Sequence, residues 1–154
     1  QLRNGEKATV DGLEITYQTR FLKNFLFMGN YTTTSSSTDR VEGRDDVPLV
    51  GQVDNMYNLS LAYENSKFFV RASFNDSDGS LDELSDNTSE DRYYDEQSFL
   101  DINANYRIND NWSLFAEGKN LTNQPLRYYQ GIQSRTMQLE YYNLSWVAGI
   151  KYDF

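Results

Sequence analysis

The chain has no cysteine and no histidine. Disulfides, thiolate nucleophiles and imidazole ligands are therefore excluded. Catalysis would need a carboxylate pair, a Ser–Lys dyad or an oxygen-ligated metal. Carboxylates and serines are plentiful, but none falls into a recognisable catalytic arrangement, so no enzymatic activity, cofactor or metal site is expected. Proline is nearly absent, at two residues. No run of about 18 apolar residues occurs, which excludes a transmembrane helix. Positive charge is scarce too. Fourteen Lys and Arg face 23 Asp and Glu, a net charge of −9, which argues against nucleic acid as a partner.

Aromatic residues, by contrast, are abundant. Twelve Tyr and nine Phe make most of an aromatic share of 15%, although the mean hydropathy is polar. Many rings in a polar background suit a sheet with one greasy and one wet face. The acidity is local. Residues 76–96 hold nine acids and one arginine, a net of −8, which leaves −1 for the remainder of the chain.

Period-two alternation runs through most of the sequence and predicts strands. Leu13, Ile15 and Tyr17 alternate with Glu14, Thr16 and Gln18, and Phe27, Gly29, Tyr31 and Thr33 with Met28, Asn30 and Thr32. Tyr57, Leu59, Leu61 and Tyr63 oppose Asn58, Ser60 and Ala62; Phe68, Val70, Ala72 and Phe74 oppose Phe69, Arg71, Ser73 and Asn75. Leu100, Ile102, Ala104 and Tyr106 oppose Asp101, Asn103, Asn105 and Arg107. Trp112, Leu114, Ala116 and Gly118 then oppose Ser113, Phe115, Glu117 and Lys119. The last run sets Trp146, Ala148, Ile150, Tyr152 and Phe154 against Val147, Gly149, Lys151 and Asp153. The expected fold is all-β, an antiparallel meander of about seven strands. Its connections alternate strictly. Those near 22–24, 64–67 and 108–111 are short, and those near 34–52, 76–98 and 121–140 are long. All short turns then lie at one end and all long loops at the other, as in outer-membrane barrels with short periplasmic turns and long external loops. A final strand that follows a long loop runs inward, and so does the first of seven. That parity, with two unpaired edges, suggests part of a larger closed barrel.

The stretch YRINDNWSLFAEGKNLTNQPLRYYQG, Tyr106 to Gly131, and the ending SWVAGIKYDF, Ser145 to Phe154, resemble the last strands of TonB-dependent outer-membrane receptors. DGLEITYQT from Asp11 and Asn30–Thr32 are similar to strands further upstream. The resemblance covers essentially the whole chain and is strongest over 99–154. It implies that residues 1–154 are the C-terminal segment of a barrel of about 22 strands, with the plug domain and earlier strands lying outside them. It further implies active transport across the bacterial outer membrane of a siderophore–iron complex, vitamin B12 or an oligosaccharide. The implied partners are membrane lipid, the plug domain of the same chain, the TonB complex and the barrel-assembly machinery.

On that resemblance, Trp146, Ala148, Ile150, Tyr152 and Phe154 form a terminal assembly signal, a row suited to recognition by strand addition. Tyr63, Phe68, Tyr106, Trp112, Tyr152 and Phe154 flank the short turns as a periplasmic aromatic girdle. Glu14, Gln18, Arg71, Asp101, Asn103, Arg107, Glu117 and Lys119 face the lumen, where they pair across the wall or touch the plug. Arg127, Tyr128, Tyr129 and Arg135, in the last external loop, are candidate contacts for an anionic or sugar ligand. Asp76–Glu83 begins like an oxygen-rich Ca²⁺ loop but lacks the third Asp and the spaced closing Glu of an EF-hand. A solvated, mobile external loop is expected there. Two other readings stay open: a complete eight-stranded outer-membrane barrel, if a further strand lies within Gln1–Val10, and a soluble β-sandwich whose apolar rows pack on a second sheet.

Overall fold

The computed structural model describes residues 7–39 and 44–154. Among these there is no α-helix, only a 3-10 turn at Thr88–Glu90. The strands are β1 (Ala8–Phe21), β2 (Phe25–Thr38), β3 (Asn55–Glu64), β4 (Phe68–Ser77), β5 (Ser80–Glu83), β6 (Arg92–Tyr94), β7 (Gln97–Arg107), β8 (Trp112–Lys119), β9 (Leu126–Gln130), β10 (Thr136–Glu140) and β11 (Ser145–Tyr152). Seven of them form one sheet in the order β1-β2-β3-β4-β7-β8-β11, every neighbouring pair antiparallel.

The register explains why alternation was so regular. Cross-strand partners share a face, and each apolar row meets the next. Ile15 lies opposite Tyr31, which lies opposite Tyr57. Val70, Ala104, Ala116 and Ala148 are successive partners across β4, β7, β8 and β11. A slip of one residue in any strand would turn its apolar row into the polar face.

The short turns are built by different means. Leu22 and Lys23 both adopt the left-handed conformation, φ 48° and 65°. Two successive positive φ values match the twist of flanking strands but are uncommon outside Gly and Asn. The other two turns use one device. The Asn65 side chain accepts from the Lys67 and Phe68 amides, both at 2.8 Å, and Asn109 accepts from Asn111 and Trp112, both at 3.0 Å. An asparagine that bonds two residues ahead closes a tight turn locally.

The sheet has no core of its own. The buried apolar residues are Val47, Ala62 and Leu81 alone among the described residues, and no side chain is wholly enclosed. Leu13, Ile15, Leu61 and Ile150 are 57%, 53%, 46% and 64% exposed. A soluble domain buries such rows against a second layer.

A second sheet does exist, in the order β10-β9-β6-β5, but it does not cover those rows. It is made from the long connections that were expected to be plain loops. β5 follows β4, β6 precedes β7, β9 follows β8 and β10 precedes β11. The small sheet thus repeats the neighbour order of the wall and extends it past a break. At the break, a Cβ on Gly79 would lie 2.6 Å from the Tyr94 carbonyl, so only glycine fits. Gln97, 7% exposed, donates there to the carbonyls of Glu96, Asp95 and Pro125. The sandwich reading is thereby corrected, since its apolar rows stay exposed. An eighth strand is not seen either. β1 begins at Ala8 and leaves no separate strand in residues 7–10, whereas Gln1–Glu6 lie outside the described residues.

Candidate functional site

The apolar face carries aromatic rings along its turn edge. Phe21 stacks on Phe25 at 5.4 Å, Phe25 meets Tyr63 at 5.1 Å, Phe68 meets Tyr106 at 4.6 Å and Trp112 meets Tyr152 at 4.7 Å. All six expected girdle residues lie along this edge. Phe21 and Phe25 extend the row and were missed, although their places beside the first turn signalled it. A second set marks the far edge. Tyr31 stacks on Tyr57 at 4.8 Å, and Trp146 lies across Gly118, where a Cβ would come within 2.5 Å of the indole. From Tyr57 to Tyr63, and from Trp146 to Tyr152, an apolar row runs for roughly 20 Å at about 3.3 Å per residue. Beyond it the surface turns polar. Tyr31 donates to Asn55 at 2.8 Å, and Asn55 to Asp78 at 2.6 Å.

The terminal row is placed as a unit. Trp146, Ala148, Ile150 and Tyr152 lie on the apolar face of β11, which forms a sheet edge. Regular pairing stops at Tyr152, so Phe154 stands beyond the strand rather than in it. Its fully exposed ring still meets Tyr152 edge-on at 5.0 Å. The backbone is held by Asn111, whose carbonyl accepts from the Asp153 amide and whose side chain donates to the Asp153 carbonyl, both at 2.9 Å.

The opposite face is polar. Asn30 donates to Glu14 at 2.7 Å and to Thr16 at 3.0 Å. Gln18 lies opposite Met28. Lys119 pairs with Glu117 at 3.7 Å, and Asp101 accepts from the Asn120 amide at 2.8 Å. Asn120 and Asn123 take positive φ, 54° and 52°, while Leu121 donates to the Leu100 carbonyl and Thr122 to that of Ser98. The Asn-Leu-Thr-Asn stretch is therefore a turn pinned to the start of β7. Arg71, Asn103, Arg107 and Glu117 sit on this same face. Phe69 and Phe115 sit there too, against the polar pattern.

At the far end the long connections converge on Asp91, which is 3% exposed. Its carboxylate takes Arg44 of the first connection at 2.7 Å and the Ser85 amide at 2.9 Å. Its carbonyl takes the Gly131 amide of the third connection at 2.8 Å. Burial pushes this carboxyl up, but the hydrogen bonds from Arg44 and Ser85 and the guanidinium charge outweigh it and hold it below its usual range. Asp95, also buried, holds Arg127 at 2.9 Å, and Arg92 pairs with Asp82 and Glu83. The acidic segment is thus ordered and clasped by three arginines, not the solvated mobile loop expected. Burial also pushes the Tyr94 and Tyr129 hydroxyls up.

The four candidate ligand residues are brought together here but are not all free. Arg127 is held by Asp95 and also donates to the Gln133 carbonyl. Tyr128 packs on Tyr94 at 5.1 Å and Tyr129 on Tyr93 at 5.3 Å. Arg135 donates to the Ser89 carbonyl at 3.2 Å. A repeat signalled this pairing: Arg92-Tyr93-Tyr94 and Arg127-Tyr128-Tyr129 are the same tripeptide, set antiparallel in β6 and β9.

A family model described as TonB dependent receptor-like, beta-barrel matches residues 1–121. The match ends at Leu121 and so leaves out the closing strand. No curated protein and no solved structure matches the chain.

Proposed function

The chain belongs to the TonB-dependent receptor β-barrel family, a family of outer-membrane transport proteins and not of enzymes, and from that premise we propose that residues 1–154 are the C-terminal wall segment of such a receptor. The apolar face meets lipid and the polar face lines the barrel interior. β1 and β11 pair with other strands of a larger barrel, and the clasped second sheet projects outside the cell. The receptor takes up a scarce nutrient, a siderophore–iron complex, vitamin B12 or an oligosaccharide, in a step driven through the TonB complex and a plug domain.

The observation that carries this reading is the single-layer sheet with a coreless, exposed apolar face between two aromatic edges. Backbone groups in hydrocarbon must be paired within the protein, and a closed barrel pairs both edges that the seven strands leave open. The row Trp146, Ala148, Ile150, Tyr152 and Phe154 serves as the assembly signal, because its first four members lie on an edge strand that can accept another strand and Phe154 packs on Tyr152 just past the strand's end. Solute contact falls to the exposed flanks of the second sheet around Arg135, Tyr128 and Tyr129. Arg127 acts as a clasp that positions them.

Uptake by intact cells tests the transport claim. Deletion of the complete receptor should abolish energy-dependent accumulation of one of the three solute classes, and a proton uncoupler should do the same in the parent strain. Unchanged accumulation of all three, with the protein recovered from the soluble fraction, would contradict it.

A further inference from the structure

The net charge of −9 sits in the long connections. Residues 34–52, 76–98 and 121–140 carry −2, −8 and +1, so the remainder of the chain is neutral as a whole. Three of the arginines that could receive an anion there are held by carboxylates: Arg44 by Asp91, Arg127 by Asp95, and Arg92 by Asp82 and Glu83. A surface field of one sign turns away solutes of that sign and leaves neutral ones unaffected. What the second sheet offers instead is phenol. Tyr93 stacks on Tyr129 and Tyr94 packs on Tyr128, and none of the four hydroxyls has a hydrogen-bond partner among the described residues.

The polar face of the wall carries the second observation. Asn30, Asn58 and Asn75 are successive partners across β2, β3 and β4, and Met28, Ser60 and Ser73 form the next row. These rows line a depression of about 200 Å³ without a charged residue in its lining. Asn58 donates to Asn30 at 3.4 Å. Ser60, Ser73 and Asn75 have no side-chain hydrogen bond among the described residues. Hydroxyls and amides both donate and accept, which suits them to the hydroxyl groups of a solute. Met28, 38% exposed, adds an apolar surface beside them, and a few placed polar groups against an apolar surface fix a small molecule in orientation.

We propose that the transported solute is an uncharged oligosaccharide, one unit of which lodges against Asn58, Ser60, Ser73 and Asn75 on its way through the barrel. The proposal deepens the transport reading and rests on it, with the polar face as the barrel interior. An anionic ferric siderophore would meet the acid surplus outside and find no cation in the depression. A corrin is too large for it, whereas a single sugar ring fits.

The test uses the complete receptor, in cells and in outer-membrane vesicles. Three probes are offered: a hydrolysate of neutral glucans, xylans, mannans and galactans, an anionic ferric catecholate, and cyanocobalamin. Cells should accumulate an oligosaccharide from the first and neither of the others. In vesicles carrying Ser73→Cys, a water-soluble thiol reagent should label position 73, and that oligosaccharide should slow the labelling severalfold. Asn75→Ala should weaken its binding about tenfold, the loss expected for one hydrogen bond, whereas Ser113→Ala, on the same face beside a short turn, should not. Accumulation of the ferric complex or of cyanocobalamin would overturn the proposal and leave the transport reading standing. An oligosaccharide that binds without protecting position 73 would overturn the site. If Asn75→Ala fails to assemble, the protection at position 73 decides. Accumulation of none of the three probes defeats the transport reading itself and the proposal with it.

Discussion

Asp91 ties the three long connections together. It joins the first and third connections to the second through a guanidinium, an amide and its own carbonyl. Removing one partner of a buried ion pair typically costs about 3–5 kcal/mol, so Asp91→Ala should loosen the second sheet by about that much while leaving the wall intact. Hydrogen exchange of residues 80–94 should report the change. The pH dependence follows from the lowered carboxyl. Its stabilisation is fully present above the ordinary value of 3.8 and is lost as pH falls through the lower folded value. The clasp should therefore hold unchanged from neutrality to about pH 4 and open only in stronger acid. Leu61, on the other face, lies opposite Phe27 and Ala72 and is nearly half exposed. If lipid meets it, Leu61→Arg should destabilise the barrel by about 2–4 kcal/mol in reversible unfolding from bilayers.

Strands were legible wherever one face differed from the other. In β3, β4, β7, β8 and β11 nearly every second residue is apolar, Asp76 and Ser98 at one edge being among the exceptions, and the register turns that period into continuous rows. β5 and β6 were not legible, because Ser80–Glu83 and Arg92–Tyr94 are too short to show a period. Their order comes from distant partners, from Arg127–Tyr129 and from the arginine clasps. The turns show the same division. Asn65 and Asn109 mark their turns by side-chain chemistry, whereas nothing in Leu22-Lys23 announces two left-handed residues. Asn109→Ala removes two local hydrogen bonds at the turn beside the terminal row and should cost about 1–2 kcal/mol, measured by the same unfolding assay. At the last strand, Phe154→Ala should lower the amount of receptor assembled in the outer membrane and leave transport per assembled receptor unchanged. Normal assembly would remove the signal role from the terminal row.

At the scale of the molecule the absence of a core governs behaviour. An open sheet with apolar side chains exposed across its width has no stable monomeric state in water. The 154-residue chain by itself, refolded without detergent or lipid, should associate rather than give a monodisperse monomer, as light scattering would show. The two-faced wall could be read from the sequence because a bilayer and an aqueous interior impose opposite demands on alternate residues. Arg71 could be assigned to the polar face on parity alone. Its packing on the Phe69 ring, without a carboxylate among the described residues, could not, because that depends on which side chains the neighbouring strands bring near it.

The most direct test of the account is a cysteine scan of residues 58–63 in the complete receptor, carried out in membranes with a fluorescent label and a quencher fixed in the lipid tails. Positions 59, 61 and 63 should be quenched from the lipid, and positions 58 and 60 should react instead with a water-soluble reagent, while position 62, buried on the polar face, should do neither. A profile without that alternation, or with the two sets exchanged, would contradict the assignment of the apolar face to the membrane and with it the transport reading.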